Sequence, residues 1–246
     1  MRNRKAIALF AVLAIFAAAC GGTAEEVVEE APVVTEAPAT TEAPATTAAP
    51  VETGDPLILA SLMPLSGDLA FLGPGIALGA ALAIEHVNAA GGVNGQPVTF
   101  IEGDSGCDGA VALTSLQDVI GQGAQGVMGA ACSGTSLAIL DTAIGAGVVM
   151  VSPSNTSPQF TKMDKKGLYA RTAPSDLLQG QVLAKLLVDD GRSTISIISR
   201  ADSYGRGLAE ATAANFEAAG GTVNTIVYHA VDATEFSAEV TAVGKN

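Results

Sequence analysis

From Asp55 onward, short apolar runs alternate with segments of helical period, and this alternation limits the fold more than any other feature of the chain. Residues 57–63, 97–102, 126–130, 148–152 and 168–171 read as strands. Between them, Ile76, Ala80, Ala83 and Val87 recur at i, i+4, i+7 and i+11, which predicts one face of a helix. That helix stops at 88–92, where Gly91 or Gly92 suits a left-handed cap. Further helices are expected over 111–120 and 135–144. A second round follows, with helices at 177–190, 204–219 and 236–243 and strands at 194–199 and 222–229. Strands alternating with helices of this length give parallel sheets with right-handed crossovers, hence an α/β fold. Ligands of such sheets bind at the carboxyl ends of the strands, so functional residues are expected in the loops that follow them.

The first 54 residues have a different character. Arg2, Arg4 and Lys5 precede an unbroken apolar run of 14 residues, Ala6 to Ala19. A membrane-spanning helix needs about 20 apolar residues, so the run fits the h-region of a signal peptide over 1–20. Ala17, Ala18 and Ala19 before Cys20 resemble a bacterial lipobox, in which the cysteine thiol takes the lipid. Ordinary cleavage after an A-x-A site is the alternative. Both readings export the protein, and the first anchors it on the outer face of the cytoplasmic membrane. Residues 21–54, with TEAPATTEAPATTAAP at their centre, are rich in Pro, Thr, Ala and Glu. Such a segment buries too little apolar surface to offset its chain entropy, and proline keeps it extended. It is expected to be a disordered stalk.

The chain has a formal net charge of −13 and an aromatic content of 4%. An acidic domain with few aromatic residues argues against nucleic acid as a partner. Of the three cysteines, Cys107 and Cys132 remain if Cys20 carries lipid, an even count in an oxidising compartment. A bridge between them would close a loop of about 25 residues and add about 3 kcal/mol on a chain-entropy estimate. His86 and His229 lie far from both cysteines in sequence, so no metal site and no cofactor is expected.

Four loops carry candidate chemistry. The first, 64–75, contains Gly73 and Gly75, and with Gly79 spells G-x-G-x-x-x-G ahead of Glu102. A dinucleotide fingerprint needs a tight turn after its strand, and this loop is too long for one; the glycines are expected to serve backbone geometry at the helix start. The second, 129–136, places Ser133 and Thr135 where either can cap a helix whose N-terminus suits an anion. The third, 152–158, crowds hydroxyls and an amide between two prolines, either to bind a polar ligand or as a turn. The fourth places Tyr204 after a strand, with an apolar face and a hydroxyl.

Catalysis finds no support: G-x-S-x-G and H-E-x-x-H are both absent. His86 falls within the first helix, His229 ends a strand without a nucleophile beside it, and Lys162, Lys165 and Lys166 read as a solvated loop.

Taken together, these loops carry a resemblance. P-L-S-G at 64–67, H-V-N-A-A-G-G-V-N-G at 86–95, A-C-S-G-T at 131–135, S-P-S-N-T-S-P at 152–158, Y-G-R-G at 204–207 and the pair Cys107 and Cys132 resemble the type I periplasmic binding proteins. Within these the likeness is to the leucine/isoleucine/valine-binding receptors of ABC importers. The resemblance implies two Rossmann-like lobes with parallel sheets, lobe 1 over 55–173 and the start of lobe 2 over 174–246, with a small amino acid clamped between them. It implies that Ser133 and Thr156 donate to the ligand carboxylate, that the Ser154 carbonyl accepts from the ammonium and that Tyr204 reaches across the cleft. It implies a Cys107–Cys132 disulfide bracing the loop of Ser133, and ABC permease and ATPase subunits as partners. A sensor or signalling lipoprotein with the same fold is the alternative function, followed by an exported α/β enzyme, for which the chain lacks an identifiable nucleophile and base. Where these receptors often place an aromatic residue against the ligand side chain, this chain has Phe71-Leu72. The resemblance also implies an incomplete second lobe, which in the family continues past the point reached at Asn246 and supplies an acidic residue for the ammonium.

Overall fold

The computed structural model describes residues 54–244. The expected signal segment with Cys20, and all of the expected stalk except Gly54, lie outside the described residues.

Five strands, β1 (Ile58–Met63), β2 (Thr99–Asp104), β3 (Gly126–Gly129), β4 (Val149–Ser152) and β5 (Tyr169–Arg171), form one parallel sheet in the order β2-β1-β3-β4-β5. They alternate with α1 (Gly73–Ala89), α2 (Gly109–Gly121), α3 (Ser133–Gly145) and a single turn, α4 (Gln159–Lys162). A second parallel sheet pairs β6 (Thr194–Arg200) with β7 (Thr222–His229), accompanied by α5 (Asp176–Asp189), α6 (Ser203–Ala218) and α7 (Ser237–Val243).

The main core gathers Leu62, Leu116, Val119, Ile139, Leu140, Met150 and Phe160, all buried. Each fully buried side chain of this size contributes about 1.5–3 kcal/mol from leaving water. β3 is apolar or small throughout and almost wholly buried, as expected of a strand covered on both faces. β4 alternates, with Met150 and Ser152 inward and Val149 and Val151 outward.

Local chemistry moves several element boundaries from their expected places. α2 starts at Gly109 because Asp108 caps it, accepting from the amides of Ala110 at 2.8 Å and Val111 at 2.9 Å. The expected face of α1 is met in its first half only. Ile76 and Ala80 are partly buried, with Ile76 packed on the core beside Ala77, and Ala81 and Ile84 are also partly buried, whereas Leu82, Ala83 and Val87 face outward. At the first turn a Cβ on Gly73 would lie 2.0 Å from the Pro64 carbonyl oxygen. The backbone approach that only glycine permits there fixes which side of α1 meets the sheet, and it gives Gly73 the structural role expected of it. Asn88 then ties the end of α1 to the strand side, donating to the Val98 carbonyl at 3.0 Å and accepting from its amide at 2.6 Å.

In the second region α5 and α6 pack almost backbone to backbone. A Cβ on Gly180 would lie 2.6 Å from the Ala211 carbonyl carbon. Of the lysine cluster, Lys166 pairs with Asp164, whereas Lys165 donates to the Phe160 carbonyl at 2.6 Å and so helps to hold α4.

Candidate functional site

Because β1 to β5 run parallel, their carboxyl ends share one edge, and the loops that leave that edge are bonded to one another in sequence. Asp104, at the end of β2, reaches the loop after β1. Its Oδ1 accepts from the amides of Leu65 at 2.8 Å, Ser66 at 3.2 Å and Gly106 at 2.8 Å, and its other oxygen accepts from the Ser66 hydroxyl. Partial burial works against ionisation, but these hydrogen bonds outweigh it and hold the carboxyl below the usual carboxylate range. The next link is covalent: Cys107 and Cys132 form a disulfide with Cα atoms 5.5 Å apart.

Cys132 also takes the N-cap position of α3, so Ser133 is the first residue inside the helix and Thr135 lies two further on. Neither residue caps α3, contrary to expectation, because the chain enters the helix from the tethered cysteine. The Ser133 hydroxyl is buried and accepts from the Ser157 amide at 3.4 Å. That contact joins α3 to the loop after β4.

The loop after β4 is held from below. The Ser152 hydroxyl donates to the Ala130 carbonyl at 2.7 Å and accepts from the Asn155 amide at 3.0 Å. The Ser154 hydroxyl and the Asn155 side chain both donate to the Ala131 carbonyl, at 2.9 Å and 2.8 Å. Tyr169 donates to Asn155 Oδ1 at 2.9 Å, and burial pushes the Tyr169 hydroxyl well above its usual range.

Thr156, at the centre of this scaffold, is different. Its hydroxyl is buried and has no hydrogen-bond partner. Its carbonyl accepts from the Asp176 amide at 2.8 Å. Asp176 opens α5 behind Ser175, which caps the helix by accepting from the Leu177 amide at 3.3 Å. The Asp176 side chain is fully buried, and among the described residues neither carboxyl oxygen has a hydrogen-bond partner of normal geometry. Burial pushes its carboxyl above the usual range, while the nearby Thr156 hydroxyl and the Arg171 charge pull the other way. A buried carboxyl with both oxygens free opposes folding, and native structures keep such groups mainly where they have a task.

Tyr204 stands in the first turn of α6, 40% exposed. Burial, then the negative charges of Asp176 and Asp202, push its hydroxyl up, so it remains a hydrogen-bond donor. The N-termini of α3 and α6 face each other, since a Cβ on Gly134 would meet Ser203 Oγ at 3.8 Å. The starts of α3, α5 and α6 each bring a partial positive charge to this region, against the negative charge of Asp176.

The start of α3 and the loop that carries Ser154 and Thr156 are thus tied together through the Ser133–Ser157 and Ser154–Ala131 bonds, and the Tyr204 hydroxyl is near enough to feel the Asp176 charge. Phe71 and Leu72, at 75% and 41% exposed, lie on the outer part of the first loop. His86 is exposed. His229 meets Phe236 edge-on, with 4.9 Å between ring centroids. Sequence reasoning missed Asp176, Arg171 and Asp104, and it took the amide of Asn155 for a possible ligand contact, whereas it is buried and bonded to Ala131 and Tyr169. For Asp176 a signal was available in Ser175-Asp176 before an apolar helix, an ordinary helix start. What marks the residue out, burial without a partner, is a tertiary property. Among the described residues no group of three or more His, Cys, Asp or Glu side chains is placed to hold a metal ion, and no helix is long and apolar enough to cross a membrane.

The chain matches the family model described as "Periplasmic binding protein" over residues 56–245. It belongs to the periplasmic binding protein family. The leucine-, isoleucine-, valine-, threonine- and alanine-binding protein of Pseudomonas aeruginosa is 31% identical to this family member over 185 residues, covering 74% of this chain and 49% of the relative. The chain therefore spans about half the length of the curated relatives it matches. Among solved structures it is similar to the ABC transporter substrate-binding protein from Desulfitobacterium hafniense in complex with Leu, with a TM-score of 0.62, 27% identity, and coverage of 78% of this chain and 55% of that one. In fold alone it is similar to an ABC transporter solute-binding protein from R. palustris in complex with 4-hydroxybenzoate, with a TM-score of 0.70, 22% identity, and coverage of 78% of this chain and 51% of that one. The α/β architecture read from the alternating pattern is that of type I periplasmic binding proteins.

Proposed function

We propose that this chain is the exported solute receptor of an ABC importer and that its ligand is a small amino acid. In this reading residues 55–173 form one lobe, residues 174–246 begin a second, and the ligand sits where α3, α5 and α6 present their N-termini. Ser133 uses its lone pair on the Ser157 amide, which leaves its proton free for a ligand carboxylate. The amide groups that open α3 support the same charge. Thr156 contributes a free hydroxyl, and the Ser154 carbonyl accepts from the ammonium. Tyr204 closes over the ligand from the second lobe, a hinge motion. Cys20 carries the lipid that holds the receptor at the membrane, and permease and ATPase subunits take the released ligand. The role is binding, with no chemical step.

The observation that carries this reading is the pair of unpartnered oxygens on Asp176. A buried carboxylate beside the proposed carboxylate pocket calls for a cation to pair with it. An α-amino acid brings both charges in one small molecule. 4-Hydroxybenzoate, the ligand of one fold neighbour, has a carboxylate and no ammonium, and would leave Asp176 unpaired. The relatives whose names specify leucine, isoleucine, valine, threonine or alanine point the same way.

Titration calorimetry of the full-length protein with L-leucine, L-alanine and 4-hydroxybenzoate tests the proposal. Saturable binding of an amino acid, lost in Asp176→Asn, supports it. Binding of 4-hydroxybenzoate with no amino acid bound overturns it.

A further inference from the structure

Arg171 is the last residue of β5, just before the chain crosses to α5. Its Nη1 donates to the carbonyls of Asn155 at 3.2 Å and Ser157 at 2.9 Å, and its Nη2 donates to the Thr161 hydroxyl at 2.9 Å. The guanidinium lies 5.9 Å from the centre of the Phe160 ring, which is itself stacked on Tyr169 with centroids 4.8 Å apart. Among the described residues no carboxylate lies within ion-pair distance of Arg171. An arginine this well packed usually meets a carboxylate in bidentate fashion; here its donors go to main-chain carbonyls and a hydroxyl instead.

The two carbonyls it grips belong to the residues on either side of Thr156, and the carbonyl of Thr156 itself is taken by the Asp176 amide. The backbone around Thr156 is therefore pinned at three successive carbonyls. Among the described residues the Thr156 hydroxyl makes no hydrogen bond of normal geometry, although it lies near enough to the Asp176 carboxyl to favour its ionised form, so where it points depends on this backbone. We infer that Arg171 is the positioning residue of the site, aiming the Thr156 hydroxyl by gripping the carbonyls that flank it. The inference rests on the amino-acid reading only for what Thr156 and Asp176 bind.

Two separate properties of the side chain are used. The planar fork satisfies three acceptors at once, which the single ammonium of lysine does not reproduce. The charge acts at longer range. Asp176 is faced by the Thr156 hydroxyl from the loop after β4, by Arg171 from β5 and by Tyr204 from the start of α6, with Arg200 and Asp202 beyond Tyr204. Of these, Arg171 is the positive charge felt at Asp176.

The two properties separate in a pair of variants, Arg171→Lys and Arg171→Gln, read by NMR without ligand. In R171Q the carboxyl titration midpoint of Asp176 moves upward, and in R171K it stays near that of the parent. Hydrogen exchange of the Asp176 amide, which reports the position of the Thr156 carbonyl, rises about tenfold in both variants, the equivalent of losing one or two hydrogen bonds. An Asp176 midpoint and an Asp176 amide exchange rate both unchanged in R171Q overturn the inference. If R171Q fails to fold, R171K decides: unchanged exchange of the Asp176 amide in R171K overturns it. Neither readout needs a bound amino acid, so the inference and the proposed ligand fail separately.

Discussion

The amide of Asp176 donates to the carbonyl of Thr156 across 2.8 Å, hooking the first residue of α5 to the loop that follows β4. The same contact places the buried carboxyl of Asp176 beside the buried hydroxyl of Thr156, and among the described residues none of their side-chain oxygens has a hydrogen-bond partner of normal geometry. An ionised carboxyl held this way opposes folding.

Replacing that charge should therefore stabilise the protein. Asp176 has its carboxyl pushed up by burial, so the folded state holds the proton more tightly than the unfolded state does. Its ionisation costs stability at neutral pH, and the cost fades as pH falls through the raised folded value toward the ordinary one of about 4. Asp176→Asn is expected to gain about 1–3 kcal/mol at pH 7, which calorimetry would read as about 2–4 °C per kcal/mol in melting temperature. The gain should shrink on acidification. The same variant should lose amino-acid binding.

Asp104 predicts the opposite sign. Its carboxyl is held low by bonds from Ser66, Gly106 and Leu65 that outweigh partial burial. The stability it supplies is complete above the ordinary carboxyl value of about 3.9 and is lost as pH falls through the lower folded value. Asp104→Asn should cost on the order of 1 kcal/mol at pH 7, discounted for partial exposure. Urea melts of parent and variant should converge near the acid end.

The Cys107–Cys132 disulfide spans a sequence separation of 25, which corresponds to about 3 kcal/mol on the chain-entropy model. In exported protein both thiols should resist alkylation until a reductant is added. Mass spectrometry that finds both alkylated in the native protein would rule the bond out. Reduction should lower the urea midpoint.

Tyr204 is 40% exposed, so its hydroxyl matters to a ligand more than to the fold. Tyr204→Phe should weaken amino-acid binding about five- to tenfold, the worth of one hydrogen bond, with the melting temperature unchanged within error.

Gly180 tests the close approach of α5 and α6. Alanine is favoured over glycine in a helix by about 1 kcal/mol. The new Cβ would nevertheless meet Ala211 at 2.6 Å, so Gly180→Ala should destabilise by about 1–3 kcal/mol through forced separation of the helices. A rise in melting temperature would contradict the packing described.

Much of this molecule could be read from the chain itself. Strand and helix order follows from periodicity, because a buried β3 and an alternating β4 print their surroundings directly on their residues. The loops of Ser133, Thr156 and Tyr204 stood out because turn formers and hydroxyls cluster after strands. The starts of α2 and α3 were misplaced by about one to two residues, since Asp108 and Cys132 act as caps and propensity alone does not show it.

Sequence by itself determined the parallel α/β order, the edge of the sheet on which the site lies and the resemblance to the family. Only the tertiary structure decided that Gly73 turns α1 against Pro64, that Asp176 is buried beside Thr156 with its oxygens free, and that Arg171 grips the loop from β5. The physical reason is the range of the interactions. Periodicity and capping act within a few residues of the chain, whereas the burial of a carboxyl and the reach of a guanidinium depend on neighbours that only folding brings together.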